Sequence, residues 1–577
     1  MTSGSEESMR AIRKYPPLRT QRTLRDECGF REIDTSAFSA SSAVAFFLIL
    51  ALTVASASAQ DVKDVRSVLQ AANKAMGGVG LKTIEYSGAG WFSRIGQTYG
   101  LNEDWPKFEV TGYTRAIDYD ARWSREDYTR RQGNYPTLGG APMAQQHVTA
   151  ILSGTYAWDI QNDMPVPLMR PYLDGVAYSD LRQLELALTP HGALKAAMAA
   201  TNATAMTQPI VGGSDFGLSQ FGRKVTIVSF SLFGKYRMNV TINDQNLVEL
   251  VDTWFPNPIY GDMDYEMRYT KYKDFGGIQF PTLVHVHQGD PRLNPAHNYY
   301  ELNITSVKGN VPVQTMPVPD AVKTATAPPV RVEVQKLADG VWLLAGGTHH
   351  SMLVEFKDFV AVVEAPVNEA RSLAVMAEAS RLAPNKPIRY VVNTHHHFDH
   401  AGGLRTYFSQ GTTVVTHESN KDYYVDILFH PAAWTLQPDR MSIYNPMYMI
   451  SRRPPPIETV GGDTRATGPY VITDGARMIE VFHVQDMAYE LGEPSYRQGN
   501  HGQDMLMAYL PKEKILLNAD LYTPPAQGAA PPAATNGMRT LYRNMVKLKL
   551  EVDQHVPIHG RVGTNAEFLK IVGANGE

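Results

Sequence analysis

The stretch Ile388-Arg389-Tyr390-Val391-Val392-Asn393-Thr394-His395-His396-His397-Phe398-Asp399-His400-Ala401-Gly402-Gly403 decides the reading of the C-terminal half. Its first six residues form a largely apolar run that reads as a strand, and the closing Gly402-Gly403 leads into a helical pattern. Between them lies H-x-H-x-D-H, formed by His395, His397, Asp399 and His400. Four imidazoles and a carboxylate within six residues are hard to accommodate as packing. If protonated, the imidazoles repel one another. If neutral and buried, each needs a hydrogen-bond partner. Metal coordination removes both difficulties, because zinc takes neutral imidazole nitrogen and carboxylate oxygen at ~2.0–2.2 Å. The alternate positions 395 and 397 can face one metal. Positions 399 and 400, past the bend, can face a second.

Three downstream segments carry further candidates. His501 precedes a strand that ends in Tyr509-Leu510-Pro511. Asp520 closes the apolar run Lys514–Ala519. His559 lies in Val556-Pro557-Ile558-His559-Gly560. Taken in order, these elements resemble the signature of the metallo-β-lactamase superfamily, and the resemblance covers roughly residues 331–575. It implies an αββα sandwich with metals at one edge. It also implies that His395, His397 and His501 hold a first metal, that Asp399, His400 and His559 hold a second, and that Asp520 bridges them. The family's usual glycine before this aspartate is Ala519 here. Members that use a cysteine ligand are excluded, because the chain's one cysteine, Cys28, precedes the expected mature protein. Redox flavo-diiron members carry glutamate where this chain has His397. The metals expected are two divalent ions, zinc first, with manganese or iron as options.

The implied activity is that of a hydrolase attacking an ester-, lactone- or amide-like bond of a small molecule with a metal-bound hydroxide, Asp399 orienting the nucleophile. The alternatives are a sulfatase or thioesterase of the same superfamily, or a non-catalytic ligand-binding envelope protein. His483 competes with His501, but the H-x-x-D-x-L run at 501–506 fits the family better. His396 is expected to point away and His417 to be structural. His349 and His350, in an early turn, are substrate-pocket candidates. Trp434 and Tyr448 are others, from an aromatic insertion at 421–466 that reads equally as a lid or as a capping subdomain.

The remainder of the 577 residues predicts an α+β protein with two domains. Residues 309–330 hold Pro312, Pro317, Pro319, Pro328 and Pro329 and read as an extended linker. They separate a β-rich antiparallel region at 60–308 from the hydrolase region at 331–577. In the former, Lys224–Phe230, Tyr236–Ile242, Tyr265–Lys273 and Ile278–Gln288 read as a meander, and Trp91, Trp105, Trp123 and Trp158 as core. The turn Asp274–Pro281 resembles periplasmic lipoprotein-carrier half-barrels, implying a curved sheet. His285 and His287 alternate as on a solvated strand face.

At the N-terminus the uncharged run Ser42–Val54 is followed by Ala55-Ser56-Ala57-Ser58-Ala59-Gln60. This is the pattern of a signal peptide with its cleavage site, so residues 1–59 read as an extension plus signal, and the protein as periplasmic or secreted. The leading segment is long and acidic for a signal, and a later start such as Met9 accounts for that. The run is shorter than the ~20 apolar residues of a membrane span. The net charge of -4 offers no basic footprint for nucleic acid.

Overall fold

The structure is a computed structural model that describes residues 61–62, 64–133, 144–167, 178–210, 222–289, 298–326, 329–430, 434–451, 453–461, 468–485 and 501–573. The run at 42–54, the small residues after it and Cys28 lie outside the described residues.

The N-terminal region is one large antiparallel sheet, fourteen-stranded among the described residues. Its strands follow the two-residue period. Along Lys107–Asp118, Phe108, Val110, Tyr113, Arg115 and Ile117 are buried, and the residues between them are not. The buried face is rich in tyrosine, with Tyr86, Tyr113, Tyr265, Tyr269 and Tyr300 in one core. The helices Val65–Ala75, Tyr178–Leu188 and Pro190–Ala199 add Leu69, Leu184 and Leu194 to it. Successive strands from Lys224 to Gly309 pair next to next. The last, Asn298–Gly309, pairs with the early strand Thr83–Ser93, setting Tyr300 against Phe92 and Gly309 against Ile84. All four expected tryptophans are buried.

Asp252 lies on this sheet, held by Asn239 Nδ2 at 2.8 Å. Burial pushes its carboxyl up to about 7, and the nearby charge of Glu266 adds to the rise. A raised carboxyl favours folding in its protonated form. Its contribution is therefore full below the ordinary carboxylate value and is lost as pH rises through about 7. The urea midpoint is expected to fall between pH 5 and pH 8, and Asp252→Asn should reduce that fall.

The proline-rich stretch, described over residues 310–326, carries a short helix at Asp320–Lys323. It is not free of the sheet, because Val313, Met316, Val318 and Val322 pack on Trp123, Ile151 and Trp158. Apolar side chains spaced between the prolines give it a surface to bury.

Two further sheets follow. The first orders Glu333–Ala338, Val341–Ala345, Ser351–Glu355, Val360–Val363, Ile388–Val392, Thr413–His417 and Ile457–Val460. Its strands are antiparallel up to Val360–Val363 and parallel from there on. The helix Glu369–Leu382 makes the first parallel crossover. The second sheet orders Tyr470–Thr473, Met478–His483, Leu506–Leu510, Ile515–Ala519, Gln554–Pro557 and Gly563–Thr564. One apolar core takes Leu343, Val354 and Val363 from the first sheet and Val481, Met507 and Leu517 from the second. The helices Asn536–Leu548 and Asn565–Val572 add Leu541 and Phe568 to it.

The aromatic insertion contributes the helices Asn420–Leu428, Arg440–Tyr444 and Pro446–Ser451. Tyr424, Leu428, Phe429 and Met441 are buried against the helix Leu404–Ser409, with the Phe408 and Phe429 rings 5.0 Å apart. In this part the insertion shares one buried cluster with the helix Leu404–Ser409 and the strands beneath it.

Candidate metal centre

Parallel pairing puts several chain turns side by side. Val360–Val363 ends at Glu364, whose N–H donates to the Val392 carbonyl at 2.8 Å. Ile388–Val392 therefore delivers its His-rich loop beside Glu364. In the second sheet Ile515–Ala519 and Gln554–Pro557 are also parallel, and they deliver Asp520 and His559 together. Asn393 holds the loop's curve, donating from Nδ2 to the His395 carbonyl at 2.8 Å.

Three imidazoles form a first group. His397 Nδ1 lies 3.0 Å from His395 Nε2 and 2.9 Å from His501 Nε2. A second group brings together ligating atoms of His349, Asp399, His400 and His559, and a third joins His395, His400 and Asp520. Asp520 faces both sides. Its Oδ1 is 3.3 Å from His400 Nε2 and 3.4 Å from His559 Nε2, and its Oδ2 is 3.3 Å from His501 Nε2. All seven residues expected from the sequence are thus brought into one cluster. His349 joins them, with Nε2 3.1 Å from Asp399 Oδ2.

The surrounding hydrogen bonds turn ring lone pairs inward. His397 Nε2 donates to the Thr98 carbonyl at 2.8 Å, His400 Nδ1 to Glu364 Oε2 at 2.7 Å, and His559 Nδ1 to the Thr348 carbonyl at 2.7 Å. When the ring is neutral, as a metal ligand must be, each donation leaves the other nitrogen facing the cluster as an acceptor. Burial, and then the neighbouring imidazoles, hold His395 and His397 well below the ordinary histidine value. Burial also lowers His501. Against burial, the charges of Asp520, Asp399 and Glu364 raise His400 well above its ordinary value, and the Asp520 carboxylate raises His559. Asp520 and Asp399 are lowered, despite burial, by the histidines that face them.

The donor set fits divalent metal. His400 Nε2 and Asp520 Oδ1 are buried polar atoms without a hydrogen-bond partner, and each is aimed at the cluster. A cation between lone pairs and carboxylates satisfies atoms that the protein alone leaves opposed.

Other sequence candidates fall outside the cluster. His350 Nε2 donates to the Gly560 carbonyl at 2.7 Å and so steadies the turn that carries His559. Trp434 is buried under the Arg405 guanidinium, 3.6 Å from its ring centroid, and Tyr448 packs against the insertion's buried cluster. His483 Nε2 is 2.9 Å from the Gln503 carbonyl, and the His417 ring lies against it, tilted by 44° with centroids 4.5 Å apart. His396 points away from the metal groups, with Nδ1 on Asp504 Oδ1 at 2.9 Å and Nε2 on Thr98 Oγ1 at 2.8 Å.

Sequence reasoning missed the supporting layer. Glu364 accepts from both the Thr394 N–H and His400, each at 2.7 Å. Asp504 accepts from the His396 N–H at 2.8 Å and from Asn420 at 2.7 Å. From the N-terminal sheet, the loop after Ser93 reaches across. Gln97 Nε2 donates to Asp399 Oδ1 at 2.7 Å, and the Gln503 N–H donates to the Tyr99 carbonyl at 2.8 Å. The one sequence mark for any of these was Asp504, the acid of the H-x-x-D run. Glu364→Gln, which keeps size but weakens the acceptor, is expected to lower metal affinity about 10- to 100-fold, as read by competition with a chromophoric chelator.

Residues 344–552 match the family model of the metallo-beta-lactamase superfamily. Among solved structures, the chain is similar to a metallo-beta-lactamase from Pontibacter korlensis at 18% identity and a TM-score of 0.29, covering 42% of this chain and 98% of that one. It is also similar to one from Hirschia baltica at 16% identity and a TM-score of 0.27, covering 42% of this chain and 97% of that one. No curated protein matches the chain. The C-terminal half therefore carries, over residues 344–552, a domain of the metallo-beta-lactamase superfamily.

Proposed function

We propose that this protein is an exported binuclear metal-dependent hydrolase that cleaves an ester-, lactone- or amide-like bond in a small molecule. The observation that carries the reading is the convergence of eight histidine and aspartate side chains in three overlapping groups, with His400 Nε2 and Asp520 Oδ1 otherwise unpartnered. On this reading His395, His397 and His501 hold one ion, His349, Asp399, His400 and His559 the other, and Asp520 lies between them. Divalent ions bound there, zinc first, would activate water near neutral pH and polarise the scissile bond. Asp399 is the positioned base: Gln97 fixes one of its oxygens, and the other faces His349. The two C-terminal sheets are read as the αββα sandwich, supported by their common core. The N-terminal sheet is read as a second domain. Export rests on the apolar run at 42–54 and the small residues that follow.

The test is metal analysis of the purified full chain, followed by turnover of lactams, lactones, thioesters and sulfate esters. The expected result is about two metals per chain and hydrolysis of a carbonyl-centred substrate that stops on chelation. Absence of bound metal, or activity indifferent to His397→Ala, overturns the reading. N-terminal sequencing of the periplasmic protein is expected to start near Gln60, and an intact N-terminus overturns the export part.

A further inference from the structure

The aromatic insertion presents two apolar surfaces where a helix on a soluble protein ordinarily has one. Inward from the helices Arg440–Tyr444 and Pro446–Ser451, Met441 and Met449 are buried and Tyr448 packs on the core. Asn445 ties this side down, donating from Nδ2 to the Ser409 carbonyl at 2.6 Å. The outward side is apolar as well. Ile443 is 59% exposed, Tyr444 66%, Met447 64% and Ile450 66%, all within eight residues of chain. The other exposed large apolar side chains among the described residues are spread singly from Val79 to Val546. Single ones need no partner, whereas a cluster marks an interaction surface.

Charge is absent from this face and positive at its ends. No charged residue occurs from Met441 to Ser451. Arg440 precedes the run, and Arg452-Arg453 follows it. The Arg440 guanidinium lies 5.1 Å from the Tyr444 ring centroid, and Arg453 is exposed. The one acid from 439 to 453 is Asp439, and its two oxygens accept from Arg405 at 2.5 and 2.7 Å. The face is thus basic at its margins on a chain whose net charge is -4.

A stable contact with a second copy takes ~20–30 residues a side, far more than four side chains supply. A lipid surface takes less. A few apolar side chains seat at the headgroup level, with tyrosine at the boundary and arginine on the phosphates. Arginine favours an anionic surface over a neutral one.

We propose that Ile443, Tyr444, Met447 and Ile450 dock this protein on an anionic lipid bilayer, with Arg440 and Arg453 on the lipid phosphates.

The test places a nitrobenzoxadiazole label at Met447→Cys in the full chain carrying Cys28→Ser. Vesicles of phosphatidylcholine alone, or mixed equally with phosphatidylglycerol, are then titrated in. On the mixed vesicles the emission is expected to brighten and shift to the blue. Adding Ile443→Gln and Ile450→Gln to the labelled chain should raise the lipid needed at least about tenfold. Both changes fall on exposed side chains, so circular dichroism should not move. The control is the same label at Val79→Cys, an exposed apolar position outside the face, which is expected to stay dark. It separates docking of this face from any anchoring by the apolar run at 42–54. Unchanged emission at 447 overturns the proposal. So does an equal response at 447 and 79, an equal response to both vesicle types, or an equal titration by the two chains. A dimer in analytical ultracentrifugation that Ile443→Gln and Ile450→Gln abolish assigns the face to a second copy and also overturns it. None of these readouts uses turnover, so they stand apart from the hydrolase reading.

Discussion

Asp520→Ala is expected to strip the centre of metal and to reduce kcat/KM by at least about 10³-fold, the equivalent of roughly 4 kcal/mol of transition-state stabilisation. The carboxylate has one oxygen 3.3 Å from His400 Nε2 and 3.4 Å from His559 Nε2, and its other oxygen 3.3 Å from His501 Nε2. No other described carboxylate is placed between the two groups. Without it, the inward lone pairs of His395, His397, His400 and His559 lose the negative charge that makes the pocket attractive to a cation. Metal analysis and steady-state kinetics on one preparation check this. A variant that keeps both metal and turnover would remove Asp520 from the centre.

Gly96→Val should have the second-largest effect, although the residue belongs to the N-terminal sheet's loop. Gly96 has φ +74°, and a Cβ there would overlap the Phe398 ring; the Phe398 backbone N–H donates to the Gly96 carbonyl at 3.2 Å. The neighbours are the residues that fix the centre: Gln97 on Asp399, and the Thr98 carbonyl on His397. Pushing the loop away releases the His397 tautomer and the Asp399 orientation together. Metal affinity is expected to fall about 10- to 100-fold. Backbone strain adds about 1–2 kcal/mol of destabilisation. Gly154→Val separates the two effects. Gly154 has a similar φ of +59° with open space beyond it, so its variant should show the strain without the loss of metal.

The parts legible in the sequence were those whose determinants are local. His395, His397, Asp399 and His400 lie on one loop, so their spacing alone told of a cluster. His501, Asp520 and His559 were legible through strand-end contexts that the family repeats. His349 and His350 show the limit. They are adjacent in a turn, and only its geometry shows that His349 faces Asp399 while His350 turns to Gly560. The contacts of Gln97 and Thr98 left no mark, because they cross some 300 positions and one uses a backbone carbonyl. His285 and His287 read as a solvated face because their carboxylate partners sit on neighbouring strands, and register is not written in either strand alone. The aromatic insertion could not be assigned from composition. Its buried side chains in the described part share a cluster with Leu404–Ser409, and the Trp434 ring lies under the Arg405 guanidinium.

The pairing of Asn298–Gly309 with Thr83–Ser93 also sets an order of events. The loop at 94–106 hangs from the C-terminal end of that early strand, and its neighbour in the sheet appears more than two hundred residues later in the chain. While the chain is emerging, the early strand has one flank open, and closing it means forming a contact of very high sequence separation, a slow step in folding. The tautomer lock on His397 arrives only when the sheet has closed and the loop has docked. Maturation of the centre is thereby tied to completion of a sheet that contributes no ligand to it, and a chain stalled before closure would present its histidines without the fixed orientation that metal requires.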